Sequence, residues 1–349
     1  MQQIIKSNRI TDDLSNVLNK MTYDKLFILT DEHTEKKCFP LIASLPIIAN
    51  AKRVVIPADD TNKTIENLSR VWKFLTTNGA TRHSLLINLG GGMITDLGGF
   101  AAATYKRGIA YINIPTTLLG SVDASVGGKT GINFEGYKNE IGSFHPSEYV
   151  IISAEFLNTL SQKDILSGYA EMIKHALLES ESIWNKTLSF NLTDIDYNLL
   201  NDLVMESVLI KQSIVEQDPF ERNIRKALNL GHTIGHAFES FALDKDTPIP
   251  HGYAVAWGLI AELYLSHKVC NLPKEILETA TECITKHYGV FLIEPKDYGT
   301  LYKFMIHDKK NEGGNINFTL LADIGDIQIN QVVGKEMIVE ALDFYKQCI

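Results

Sequence analysis

Cysteine is scarce in this chain: there are four, Cys38, Cys270, Cys283 and Cys348, scattered and with no C-x-x-C spacing. Nothing there reads as a disulfide framework, and reduced, mostly buried thiols are expected. Long apolar runs are also missing. None approaches the roughly 18 residues of a membrane helix, and the longest candidate, around Ala254–Leu265, is interrupted by Glu262. The start, MQQIIKSNRI, has no charged-then-apolar export pattern, so the expectation is a soluble, cytoplasmic protein with no membrane partner. Positive charge is in deficit, with 33 Lys+Arg against 42 Asp+Glu and a net charge of −9. That balance argues against nucleic-acid binding and leans mildly against anionic ligands. Repeats and low-complexity segments are absent as well.

What is present is an ordinary globular composition, 45% hydrophobic and 21% charged over 349 residues. The length suits about two domains. The first half alternates short apolar runs with helical patterns: Leu26–Leu29, Arg53–Ile56, Leu85–Leu89, Ile109–Ile114 and Tyr149–Ile152 read as buried strands. Thr64–Asn78 places Ile65, Leu68, Trp72 and Leu75 on one helical face, stopped by Gly79. Such alternation predicts parallel βαβ units in a doubly wound sheet. The second half reads as helices over Ser161–Glu179, Tyr197–Gln217, Ile224–Phe241, Tyr253–Val269 and Lys274–His287, with one clear strand at Asn317–Leu321. The predicted class is a Rossmann-like α/β domain over 1–158, followed by a mostly α-helical domain over 159–349.

Gly90-Gly91-Gly92 follows a predicted strand and precedes a predicted helix. Glycines there let backbone N–H groups approach a pyrophosphate at a helix N-terminus, although a plain tight turn has the same signature. Gly127-Gly128-Lys129-Thr130 imitates a Walker A loop, but Asp123 stands where that motif needs glycine and no helix follows. The nucleoside-triphosphatase reading is rejected, which leaves a glycine-rich loop presenting Asp123, Lys129, Lys138 and Asn139. His232 and His236 stand at i, i+4 on a predicted helix, a spacing that suits a shared metal or a stacked pair equally. Glu171, Lys174 and His175 share a face in SGYAEMIKHALL, and His251 follows a Pro-containing loop. These residues support a divalent-metal site, with zinc favoured. Whether Glu171 partners His175, or His232 and His251, the spacing leaves open.

Several stretches together resemble the 3-dehydroquinate synthase family of sugar-phosphate cyclases: GGGMITDLGGFAAATYKRG, IPTTLLGSVDASVGGKTGIN, KNEIGSFHP, SGYAEMIKHALL, ALNLGHTIGHAFES and HGYAVAWG, with a family-like tail at HDKKNEGG. The resemblance implies that the metal is held by Glu171, His232 and His251, with zinc favoured and cobalt an alternative. His236 becomes a substrate-side group and His175 loses its claim. It further implies a substrate pocket of Asp123, Lys129, Asn139, Lys174, Lys211, Glu221, Arg225, Asn229 and His236, with Arg107 on the phosphate and one of Lys309 and Lys310 contributing. For NAD it implies Asp31, Asp60, Lys63, Gly91, Gly92, Asp96, Thr116, Thr117, Lys129 and Lys138, with Phe156 and Thr159 nearby. Asp59 stands where the family has a glycine, which leaves the geometry of that loop open.

The implied reaction closes a sugar-acid phosphate, 3-deoxy-D-arabino-heptulosonate 7-phosphate, to 3-dehydroquinate with loss of phosphate, a lyase step of the shikimate pathway to the aromatic amino acids. The implied assembly is a homodimer. The alternatives are another cyclase, such as 2-deoxy-scyllo-inosose synthase, or a polyol dehydrogenase of the same fold. Arg107, Lys129, Lys138, Lys174, Lys211 and Arg225 carry the local positive charge that the net balance hides.

Overall fold

The computed structural model describes residues 2–135, 137–306 and 316–348. Lys309, Lys310 and the tail motif HDKKNEGG lie outside the described residues. The chain divides into two compact units, the first Met1–Gly168 with Thr193–Gln212, the second Tyr169–Leu192 with Ser213–Ile349.

In the first unit, among the described residues, six strands form one sheet: β1 (Gln3–Ser7), β2 (Leu26–Asp31), β3 (Lys52–Ile56), β4 (Leu85–Gly90), β5 (Ala110–Pro115) and β8 (Tyr149–Ser153), in the order β1-β8-β5-β4-β2-β3. Every pairing is parallel. β2 and β4 are buried at every position, as expected of strands covered on both faces. One apolar layer packs Leu68, Val71, Leu75, Leu97 and Ala101 on the sheet; the other packs Ile10, Leu14, Val17 and Phe156. The chain goes from β2 outward to β3, then returns to place β4 on the other side of β2. That reversal is a topological switch point, and in such sheets ligands bind beyond the strand C-termini there.

The segment around Lys129–Asn139, expected as a loop, is a β-hairpin of β6 (Lys129–Phe134) and β7 (Tyr137–Phe144), antiparallel with Lys129 opposite Phe144. Its strands are polar and glycine-rich, so pairing rather than apolar content makes them strands. The edge strand β1 was hidden for the same reason, since QIIKS is too short to show a period.

The second unit is mostly helical and, among the described residues, holds one antiparallel pair, β9 (Asn317–Asp323) and β10 (Asp326–Val332). β10 was not foreseen because its residues are largely polar and half exposed. The helix expected over Ile224–Phe241 is broken. A 3-10 turn spans Ile224–Asn229, Gly231 takes φ 79°, and a new helix runs His232–Asp244. It packs on the helix His251–Cys270, which is buried without interruption from Ala254 to Leu263. Glycine permits that approach: a Cβ at Gly258 would lie 2.1 Å from Gly231 O, and one at Gly235 would lie 2.8 Å from Ala254 O. No described helix is long and apolar enough to cross a membrane.

Candidate functional site

In the first unit the switch point lies between the ends of β2 and β4, which carry Asp31 and the Gly90-Gly91-Gly92 turn. Asp31 Oδ1 accepts from the N–H groups of His33 and Thr34, capping the short helix Glu32–Lys37. Gly91 precedes the helix Gly92–Thr104, and a Cβ there would lie 2.9 Å from Thr117 Cγ2. Glycine therefore leaves the helix N-terminus open to an anion while the β5 end closes in. Thr116 N–H donates to Gly90 O at 3.0 Å, and Thr117 Oγ1 accepts from Gly120 N–H at 3.0 Å. Phe156 is buried in the apolar layer, and Thr159 Oγ1 donates to its carbonyl.

Beside this turn is a charged cluster. Lys63 Nζ lies 3.1 Å from Asp96 Oδ2, 3.3 Å from Asp60 Oδ1 and 2.5 Å from Asn139 Oδ1. Burial disfavours the Lys63 charge, but Asp96 and Asp60 outweigh it and raise Lys63 above its ordinary value. Burial raises Asp96 despite Lys63. Burial also works against the Asp60 charge, but Lys63 and Lys138 prevail and lower it. Asn133 ties these parts together: its side-chain oxygen accepts from Asn139 N–H at 3.0 Å, and its amide donates to Asp60 O at 3.0 Å. Lys211 Nζ donates to Asp123 Oδ1 and to Asp123 O, each at 2.5 Å. Lys129 and Arg107 are exposed.

The second unit holds the other cluster. Glu171 is fully buried on the helix Gln162–Glu179, and Lys174, one turn on and also buried, sets its ammonium against Glu171 Oε2. Burial would push Glu171 up; Lys174 and His232 outweigh it and hold the carboxyl well below the usual range. His232 Nε2 lies 3.4 Å and His251 Nε2 3.6 Å from Glu171 Oε1. Neither Glu171 oxygen accepts a hydrogen bond of normal geometry.

These spacings fit a shared ion. Ligands about 2.0–2.1 Å from a tetrahedral metal stand about 3.3 Å from one another, longer than an ordinary N–H···O bond. The opposite ring nitrogens also fit, because His232 Nδ1 lies 3.0 Å from Leu230 O and His251 Nδ1 lies 3.3 Å from Glu239 Oε2. Each contact puts the ring proton on Nδ1 and leaves Nε2 as the donor to a metal. His236 stacks edge-on against His232 at 5.3 Å and tilts over His251 at 5.8 Å. The carboxylate of Glu262, on the His251 helix, accepts from Gly231 N–H at 2.7 Å and Ile234 N–H at 2.9 Å, capping the helix that begins at His232.

The remaining predicted residues sit on the preceding loop. Asn229 Nδ2 donates to Glu221 Oε1 at 3.0 Å. Arg225, 2% exposed, gives its Nη1 proton to Pro219 O at 2.6 Å. Asp218 organises this loop by accepting from the N–H groups of Arg222, Asn223 and Arg225.

Sequence patterns had not singled out Asn133, Asp218, Glu239 or Glu262. Two carried a usable signal: Asp218 precedes Pro219, a turn-initiating pair, and Glu239 follows His236 at i+3 on one helix face. Backbone strain marks other positions. Nine described non-glycine residues have positive φ, among them Asp59 (74°), Arg107 (69°), Asn139 (53°) and Glu221 (58°). Strained conformations of this kind gather at binding sites.

Residues 53–167 match the family described as 3-dehydroquinate synthase N-terminal, and residues 168–311 match 3-dehydroquinate synthase C-terminal. A curated 3-dehydroquinate synthase from Parabacteroides distasonis is 54% identical over 346 residues, covering 99% of this chain and 98% of that protein. Among solved structures, 2-deoxy-scyllo-inosose synthase complexed with carbaglucose-6-phosphate, NAD+ and Co2+ superposes with a TM-score of 0.86 at 20% identity, over 99% of this chain and 96% of that one. The 2-epi-5-epi-valiolone synthase from Streptomyces hygroscopicus, with NAD+ and Zn2+ bound, gives 0.84 at 23% identity, over 99% and 97%. At those identities the two structures establish the shared fold.

Proposed function

The chain belongs to the 3-dehydroquinate synthase family, and on that premise we propose that it converts 3-deoxy-D-arabino-heptulosonate 7-phosphate into 3-dehydroquinate and phosphate as an NAD- and divalent-metal-dependent lyase. The observation that carries the metal half of this reading is the convergence of Glu171, His232 and His251 at ligand spacing. Zinc is the ion we favour, since a carboxylate and two imidazoles leave a position open for substrate. Solved relatives of the fold with NAD+ and Co2+ or Zn2+ support the same pair of cofactors.

The segment 1–158 takes NAD through Asp31, Asp59, Asp60, Lys63, Gly91, Gly92, Asp96, Thr116, Thr117, Lys129 and Lys138, with Phe156 and Thr159 backing the site. The segment 159–349 takes the metal. When bound, the two cofactors supply reversible hydride transfer and the Lewis acidity that eases loss of the hydroxyl proton. The chain's own side chains do the rest. Lys129, Lys174, Arg225 and Arg107 supply the positive charge that a departing phosphate dianion requires. Asn139, Asn229 and His236 orient the substrate's oxygens, while Glu221 holds Asn229 and Asp123 holds Lys211 in place. The same reading makes the protein a cytoplasmic homodimer.

The test is turnover of the heptulosonate phosphate with catalytic NAD, read as phosphate and dehydroquinate in equal amounts. Turnover of glucose 6-phosphate in its place would favour the inosose synthase, and net NADH would favour a dehydrogenase.

A further inference from the structure

The two histidines of the metal cluster are oriented by different means. The His232 ring is held by its own backbone, since Nδ1 meets the carbonyl of Leu230 two residues earlier. His251 opens its helix directly after Pro250, and 28% of its side chain is exposed. Its Nδ1 meets a side chain from another helix, Glu239, at 3.3 Å. Glu239 reaches it because the helix His232–Asp244 comes close to the His251 helix at Gly235 and Ala254.

The imidazole of His251 therefore stands between two carboxylates, Glu171 at Nε2 and Glu239 at Nδ1. A neutral ring has one N–H to give. If the proton sat on Nε2, the ring could donate to Glu171 but could not bind an ion there. Glu239, 11% exposed, draws the proton to the opposite nitrogen.

We propose that Glu239 is a positioning residue for the metal centre: it accepts the Nδ1 proton of His251, fixes the ring with Nε2 toward Glu171, and thereby sets the affinity and ligand field of the bound ion. This rests on the metal centre of the proposed function. One competing arrangement exists in the same place, because ligand atoms of His236, Glu239 and His251 also lie within 4.8 Å of one another. An ion held there would require Nδ1 as a lone-pair donor and would make Glu239 a ligand. Nδ1 cannot serve both purposes at once, so the two arrangements differ in what Glu239→Ala retains: the ion stays if Glu239 only positions His251 and is lost if Glu239 is itself a ligand.

The experiment uses the full chain as wild type, Glu239→Gln and Glu239→Ala, each loaded with Co2+. Metal count, affinity by chelator competition, the visible cobalt spectrum and thermal unfolding of the metal-free protein are measured. The expected result is one ion per chain in all three. Affinity falls about 10–100-fold in Glu239→Ala, the usual cost of losing such an outer partner. It falls less in Glu239→Gln, whose amide oxygen still accepts the proton. The cobalt bands shift in both variants, and the melting temperature of the metal-free protein stays constant. The inference is overturned by wild-type affinity and spectrum in both variants, by an affinity loss that tracks a lower melting temperature, or by complete loss of the ion in Glu239→Ala. A wild type that binds no ion would instead remove the metal centre of the proposed function.

Discussion

The ammonium of Lys63 stands 3.1 Å from the carboxylate of Asp96, with 5% and 19% of the two side chains exposed. Lys63 joins the loop after β3 to the helix Gly92–Thr104 and, through Asn139, to the hairpin. Breaking a fully buried pair by removing one partner costs about 3–5 kcal/mol, and the partial exposure of Asp96 reduces the cost here to the bottom of that range or just below it. Lys63→Met is expected to lower stability by about 2–3 kcal/mol and to weaken NAD binding. Denaturant unfolding and cofactor titration read the two effects; an unchanged unfolding midpoint would show that the cluster contributes no net stability.

Asp59 is held at φ 74° and ψ 148°, a region that side-chain-bearing residues seldom occupy. The loop thus keeps a backbone that glycine adopts freely, without the glycine. Asp59→Gly relieves this strain and raises stability by about 1 kcal/mol; the gain is limited because glycine also frees the unfolded chain. A lower unfolding midpoint in that variant would mean that Asp59 makes a compensating interaction.

Asp218 binds three backbone N–H groups of the loop that carries Arg225, and those bonds hold its carboxyl below the ordinary value against burial. Asp218→Asn keeps the shape but turns one acceptor into a donor facing an N–H. Displacing Arg225 slightly should cost about 10–100-fold in kcat/KM, while NAD affinity stays unchanged. Wild-type turnover would show that the loop needs no carboxylate.

Cys38 is buried under the end of the sheet. Burial pushes its thiol up to about 11, against hydrogen bonds with Thr116 and Thr159. At pH 8 about one thiol in a thousand is ionised, so alkylation of the native protein should spare it. Peptide mapping after iodoacetamide treatment checks this, and rapid labelling of Cys38 would show that the region opens readily.

The sequence revealed most where one physical signal was strong. Buried parallel strands such as LLINL are short apolar runs, and all five predicted in the first half appear within a residue or two. The hairpin carrying Lys129 and Asn139 escaped because cross-strand pairing, not composition, makes KTGINF and YKNEIGSF strands. The break at Gly231 escaped because a glycine inside a helical pattern is ambiguous until its φ is known. Around Glu171, spacing left several partners open. The family resemblance chose His232 and His251, and these now lie together in one compact unit, with His236 beside them. Glu239 shares a helix face with His236 and Glu262 interrupts an apolar run, but the roles of both lie across a helix–helix contact that no local pattern encodes.

The most direct test of the account is the metal content and turnover of His251→Ala beside the wild type. Elemental analysis of the purified wild type should find one divalent ion per chain. His251→Ala should have lost the ion and the conversion of heptulosonate phosphate together, while remaining folded. A His251→Ala protein that keeps its full complement of metal, or turns over at the wild-type rate, would contradict the centre built from Glu171, His232 and His251.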